Sequence, residues 1–176
     1  MPQIVVCPLS RVEEAARTYG ALDMVTLIGT GTEVPLPMQI VPERYLRLDF
    51  HDIVEPAEGM TPPGEEHVAA LIGFARRWAL RGRGETPLLI HCYAGISRST
   101  AAAFISAAAL NPRRDPFELA QRLRACSPSA TPNMRLIRLA DAMLARDGRM
   151  IEAVAAIGRG AEAFEGEVFS FSPDGP

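Results

Sequence analysis

Cys92 and Arg98 stand six positions apart in the run His91-Cys92-Tyr93-Ala94-Gly95-Ile96-Ser97-Arg98-Ser99, and together they offer a nucleophile and an anion clamp. A thiolate is the reactive form of cysteine. A guanidinium one short loop away can grip two oxygens of a bound phosphate through its planar fork, which a lysine ammonium does less well. Cys-x5-Arg alone is a weak signal: with three cysteines and roughly one residue in ten arginine, chance supplies about 0.3 matches in such a chain. Cys7 and Cys126 fail the test, with Glu13 and Pro132 at that offset. Requiring also the preceding His91, Gly95 three positions after the cysteine, Ser99 after the arginine and a strand-loop-helix setting lowers the chance expectation by several orders of magnitude.

That setting is legible around the loop. Pro87 to Ile90 is a short apolar strand running into His91, and Thr100 to Leu110 is an Ala-rich helix stopped by Asn111-Pro112. A tight loop between a strand and a helix directs its own N–H groups and the free N–H groups of the first helical turn at one point, which makes an anion site. Those dipoles stabilise the Cys92 thiolate, so Cys92 is expected to be a nucleophile at neutral pH.

Earlier elements must bring the remaining groups to that loop. Ile4 to Cys7 reads as a strand closed by Pro8, and Ser10 is placed to cap a helix over Arg11 to Tyr19 with Glu13 completing a capping box and Gly20 ending it. Met24 to Ile28 is a second strand, followed by a loop from Gly29 to Pro42. Tyr45 to Phe50 is a third, with Leu46, Leu48 and Phe50 on one face and Arg47, Asp49 and His51 on the other. From Asp52 to Glu66, Pro56, Gly59, Pro62, Pro63 and Gly64 predict a long loop. A helix follows over about Glu65 to Leu80, with Gly82 and Gly84 breaking the chain after it. The last third predicts helices near Pro116 to Ala125, Met134 to Arg146 and Arg149 to Ile157, then a weakly patterned, peripheral tail after Gly158. The expected fold is α/β, with a central, mostly parallel sheet flanked by helices and a helical C-terminal third, in one domain over residues 1–176.

His91-Cys92-x5-Arg98-Ser99 resembles the signature of the cysteine-dependent protein tyrosine phosphatase superfamily, and Ala94-Gly95-x-Ser97-Arg98-Ser99 resembles its dual-specificity branch. The close match spans about nine residues, and similarity in element order extends from about Tyr45 to Asn133. The resemblance implies that Cys92 attacks phosphorus to form a cysteinyl-phosphate and that Arg98 holds the phosphoryl oxygens. It implies too that Ser99 assists departure of the thiolate and that His91 buttresses the loop. Tyr93, Ala94, Gly95, Ile96 and Ser97 complete the implied phosphate-binding loop, with Tyr93 and Ile96 as apolar walls. The resemblance also implies an Asp on a loop after an earlier strand, as acid toward the leaving group and then base toward water. Asp52 fits if its strand runs parallel to Leu88 to Ile90, since both carboxyl ends then face one edge. Asp49 is the second candidate, with Glu55 and Glu58 behind it. Asn133 either supports the phosphate loop or caps the helix it opens.

Composition narrows the alternatives. All 18 basic residues are arginine, which removes Walker-lysine, Schiff-base and lysine-base chemistry. A net charge of −3 argues against a nucleic-acid partner. Three scattered cysteines without a C-x-x-C predict neither a disulfide framework nor a thiolate metal site. No metal or cofactor is expected, and the predicted partner is a phosphorylated protein or small phosphomonoester. No apolar run approaches 18 residues and the N-terminus has no secretory pattern, so a cytoplasmic, membrane-free protein is expected; its oligomeric state is left open by the sequence, with a monomer slightly favoured. Cys126 reads as an inert buried thiol or as a resolving partner, like Cys7, for oxidised Cys92. Arg113, Arg114, Arg122, Arg124, Arg135 and Arg138 against Asp115 and Glu118 either steer anions or form solvated helix faces. His51 and His67 read as surface residues, and Trp78 with the phenylalanines as core. Two other functions compete: a phosphopeptide-binding module without turnover, and a rhodanese-like sulfurtransferase, which also places a Cys loop after a strand.

Overall fold

Runs of apolar residues buried on both faces build the sheet, which is the pattern parallel strands require. In the computed structural model, which describes residues 3–82 and 85–174, these are β1 (Ile4–Pro8), β2 (Asp23–Ile28) and β4 (Leu88–Cys92), every residue buried. β3 (Tyr45–Asp49) is half-buried, as an edge strand should be. β5 (Phe169–Phe171) closes the other edge. The strand order is β3-β2-β4-β1-β5, with β5 antiparallel to β1 and the other neighbours parallel.

Alternate strand residues face two unequal layers. Ile4, Val6, Val25, Leu27, Leu88, Ile90 and Cys92 pack toward α2 (Glu65–Gly82), α3 (Arg98–Leu110), α4 (Pro116–Cys126), α5 (Met134–Met143) and α6 (Arg149–Ile157). Val5, Cys7, Met24 and Leu89 face α1 (Val12–Tyr19) and Ile40 of the following loop. α3 runs through the larger layer with every residue from Arg98 to Ala109 buried, and its alanines let neighbouring helices approach closely. Trp78 is buried in α2, its indole N–H donating to Thr86 O at 3.0 Å.

Four sequence expectations change. Ser10 does not cap α1: Leu9–Arg11 forms a 3-10 turn, Arg11 becomes the N-cap, and the Ser10 hydroxyl donates to Glu165 at 2.9 Å. α2 runs through Gly82, past Leu80, and Gly84 of the expected break lies outside the described residues. α5 stops at Met143 because Ala145 and Asp147 turn to positive φ (50° and 52°) on the way to Gly148, with Asp141 accepting from the N–H groups of Gly148 and Met150 to start α6. The segment after Gly158 is not peripheral: it crosses beside the Cys92 loop and then supplies β5, whose Phe169 and Phe171 are buried.

Candidate active site

Because β3, β2 and β4 are parallel, the ends of β3 and β4 reach the same edge of the sheet. There the chain turns from Cys92, the last residue of β4, to Arg98, the first of α3. Carbonyls of the loop are tied outward: Tyr93 O accepts from Leu9 N–H (3.0 Å), Ala94 O from Gly166 N–H (2.7 Å), Ile96 O from Thr131 N–H (2.9 Å) and Ser97 O from Asn133 N–H (3.3 Å). Peptide planarity then turns the intervening N–H groups toward the interior of the loop. Gly95 N–H, donating to Cys92 Sγ at 3.3 Å, displays that direction. Gly95 itself has φ of 71°, and a Cβ there would lie 2.8 Å from Pro8 N and 2.9 Å from the Cys7 carbonyl carbon. Only glycine can close the loop against β1.

Cys92 is 2% exposed, and its Sγ lies 3.1 Å from the buried Ser99 hydroxyl. Arg98 is 7% exposed. Its Nη1 donates to Phe50 O at 2.9 Å at the end of β3, while its buried Nε has no partner. A buried, unpartnered donor on a fixed charge is a cost that a bound anion would remove. Ser97, the N-cap of α3, makes no cap bond with its side chain and instead donates to Asp52 Oδ1 at 2.8 Å.

Asp52 therefore joins the crevice, a cavity of about 400 Å³ that it lines with Cys92, Arg98 and the loop between them. Asn133 fills both roles considered for it. Its Oδ1 caps α5 by accepting from the N–H groups of Arg135 and Leu136, while its Nδ2 donates to Asp52 Oδ1 at 2.8 Å. Both donors act on Oδ1, and Asp52 Oδ2 has no partner among the described residues. Asp52 is exposed, and none of the competing carboxylates lines the crevice: Asp49 pairs with Arg47 at 3.0 Å, Glu55 with Arg138 at 3.6 Å, and Glu58 sits in an exposed turn.

His91 lies behind the loop with no exposed surface. Tyr45 OH donates to Thr26 Oγ1 (3.1 Å), leaving the Thr26 proton for His91 Nε2 at 2.6 Å. That assigns the imidazole proton to Nδ1, which faces Cys92 O at 3.4 Å. Burial, with smaller contributions from Arg47 and Arg98, pushes the His91 pKa down to about 4. The ring is neutral around pH 7 and serves as a hydrogen-bonded strut.

Several expectations about surrounding residues need correction. Arg135 donates to Pro63 O and Val54 O, and Arg124 donates to four carbonyls, of Pro128, Ala130, Ile157 and Gly158. These guanidiniums staple loops, and so are not simply solvated helix faces. The long 52–64 segment is held in place: His51 accepts from Thr61 N–H through Nδ1 and donates its own N–H to Thr61 O. His67 is likewise structural, its ring packed at a tilt of 42° against Phe50 with centroids 4.8 Å apart, and its Nδ1 accepting from Gly64 N–H. Cys126 is exposed, not buried. Cys7 is buried on the sheet face opposite Cys92, and burial raises its thiol well above the ordinary range, which leaves it protonated. Among the described residues no cluster of His, Cys, Asp or Glu is disposed to hold a metal.

The fold is that of the cysteine-dependent phosphatases of the dual-specificity type. Among solved structures, the dual-specificity phosphatase DUSP15 superposes with a TM-score of 0.64 over 89% of this chain and 92% of its own, at 19% sequence identity. PTP-2 phosphatase of Cydia pomonella gives 0.59 over 78% and 83% at 17% identity. The human tyrosine phosphatase-like serine/threonine/tyrosine-interacting protein gives 0.58 over 81% and 91% at 18%. No family model matches the sequence, and no curated protein does.

Proposed function

We propose that the protein is a cysteine-dependent phosphomonoester hydrolase acting on phosphorylated protein, with phosphotyrosine as its best single substrate. The observation that carries this reading is the hydrogen bond from Ser97 to Asp52, which holds a carboxylate over the same crevice as the Cys92 sulfur and the Arg98 fork. A phosphoryl group enters with its oxygens on the loop N–H groups and on Arg98, the Nε of which gains a partner. The Cys92 thiolate attacks phosphorus; the S–P bond forms as the bond to the ester oxygen breaks, and that oxygen takes the proton carried on Asp52 Oδ2. Water then attacks phosphorus, gives its proton to the Asp52 carboxylate and displaces the thiolate, which Gly95 N–H and the Ser99 hydroxyl receive. Attack by a thiolate requires Cys92 in the reduced state, which favours a cytoplasmic location.

The experiment is hydrolysis of p-nitrophenyl phosphate by purified protein with no added metal. The reading predicts turnover that Cys92→Ser abolishes; absence of turnover, or turnover unchanged in the variant, contradicts it. One neighbour is a tyrosine phosphatase-like interacting protein, which favours a phosphopeptide-binding module as the second reading. Such a module would bind phosphopeptide and release it unchanged.

A further inference from the structure

Beside the phosphate crevice runs a second, larger cavity of about 920 Å³. Its walls are mostly apolar: Met134 at the start of α5, Val154 and Ala155 of α6, and Phe164 on the crossing segment. It meets the crevice along Ile96, Ser97, Ala163 and Phe164, which line both. The two spaces are therefore continuous along the surface of the protein.

The 158–166 segment, which lines the groove and at Ala163 and Phe164 the crevice too, is fixed in place by its own chemistry. Arg124 Nη2 donates to Gly158 O at 2.6 Å, Gly160 N–H to Thr131 Oγ1 at 3.1 Å, Ala161 N–H to Pro128 O at 2.9 Å and Gly166 N–H to Ala94 O at 2.7 Å. A Cβ on Gly160 would lie 2.5 Å from Ser129, and one on Gly166 would lie 2.8 Å from Gly95 O. Between these pins Phe164 is 93% exposed and belongs to neither buried cluster. A large apolar ring held in water beside an anion crevice is a surface that gains by being covered. Arg159 and Glu162 also line the groove and carry opposite charges, so it holds no net charge to favour an ionic occupant.

We propose that this groove is the specificity subsite of the phosphate crevice, taking one apolar side chain that lies within two residues of the phosphorylated residue in a peptide substrate, with Phe164 as the wall shared by both compartments. The inference rests on the phosphatase reading. Because the two compartments share a wall, the residues nearest the phosphorylated one, about 3.3 Å apart along an extended chain, are the ones that meet the groove first.

The test uses tyrosine-phosphorylated peptides of serine and glycine that carry a single leucine at one of the four positions nearest the phosphotyrosine. Wild type is expected to show about tenfold higher kcat/KM for one of these over the leucine-free peptide, the order of gain that burying most of a leucine side chain gives. Ala155→Glu places a charge on the exposed groove wall and is expected to reduce that gain below about twofold; Phe164→Ala is expected to reduce it in the same direction. A wild type that turns over p-nitrophenyl phosphate yet gains less than threefold from leucine anywhere overturns the subsite while sparing the phosphatase reading, as does a gain that survives Ala155→Glu. A wild-type dimer that Ala155→Glu dissociates would assign the groove to a second copy of the chain and likewise overturn the proposal. Loss of all p-nitrophenyl phosphate turnover in wild type would instead strike the reading beneath it.

Discussion

His91 never meets the phosphate, yet it makes the stability of the loop depend on pH. In the unfolded chain the imidazole accepts a proton below about 6.5, whereas in the fold it holds off until about 4. Between those values the unfolded state binds more protons, so lowering the pH favours unfolding. We expect up to about 3 kcal/mol of stability to be lost as pH falls from 6.5 to 4, with no contribution from this residue to the slope above that window. Urea unfolding at stepped pH should show the slope, and His91→Asn should flatten it. Asp52 makes a different prediction. If its Oδ2 protonates the leaving oxygen, Asp52→Asn should lower kcat/KM by about a hundredfold for phenyl phosphate and far less for p-nitrophenyl phosphate, whose leaving group departs well unprotonated. Asp49→Asn, at a residue tied to Arg47, should leave both unchanged. Cys92, Arg98 and His91 were legible because their spacing lies within one loop. The carbonyl-stapling roles of Arg124 and Arg135 were not, since one uses partners up to 34 positions away and the other partners 72 and 81 away.

At the scale of elements, the site depends on a loop whose outward carbonyl bonds set its inward N–H groups. Gly95 is where this is least forgiving, because φ is 71° and the backbone of β1 lies against its Cα. Gly95→Ala should destabilise the fold by about 2 kcal/mol or more and lower phosphate affinity with it, measured by denaturant unfolding with and without inorganic phosphate. β1 to β4 and most helices followed from apolar runs and periodicity in the sequence. The start of α1 did not, because Ser10 satisfies the general pattern of a cap while its real partner, Glu165, is 155 positions away. β5 escaped for a similar reason: Phe169-Ser170-Phe171 is too short to signal a strand alone and becomes one by pairing with Val6 to Ile4.

For the whole molecule, that closing strand means the C-terminal segment belongs to the core as well as to the site. Phe171 is 1% exposed and packs in the same cluster as Cys92 and α3. Phe171→Ala should cost about 3–5 kcal/mol, read as a fall in thermal midpoint, although the residue lies 79 positions beyond Cys92 in sequence. The all-arginine basic set takes on a physical meaning at this scale: one guanidinium lines the crevice and is tied to the end of β3, and others hold loops and the crossing segment by collecting carbonyls, a task suited to a five-donor fork. The proposed function places covalent chemistry at one sulfur, and a rapid-quench single turnover with radiolabelled phosphotyrosine peptide is its sharpest test. Label is expected on the peptide containing Cys92 within the first turnover of wild type, forming about a hundredfold more slowly in Asp52→Asn, where the tyrosine oxygen departs unprotonated, and absent from Cys92→Ser. Hydrolysis without any label on Cys92, or label that survives in Cys92→Ser, would contradict it.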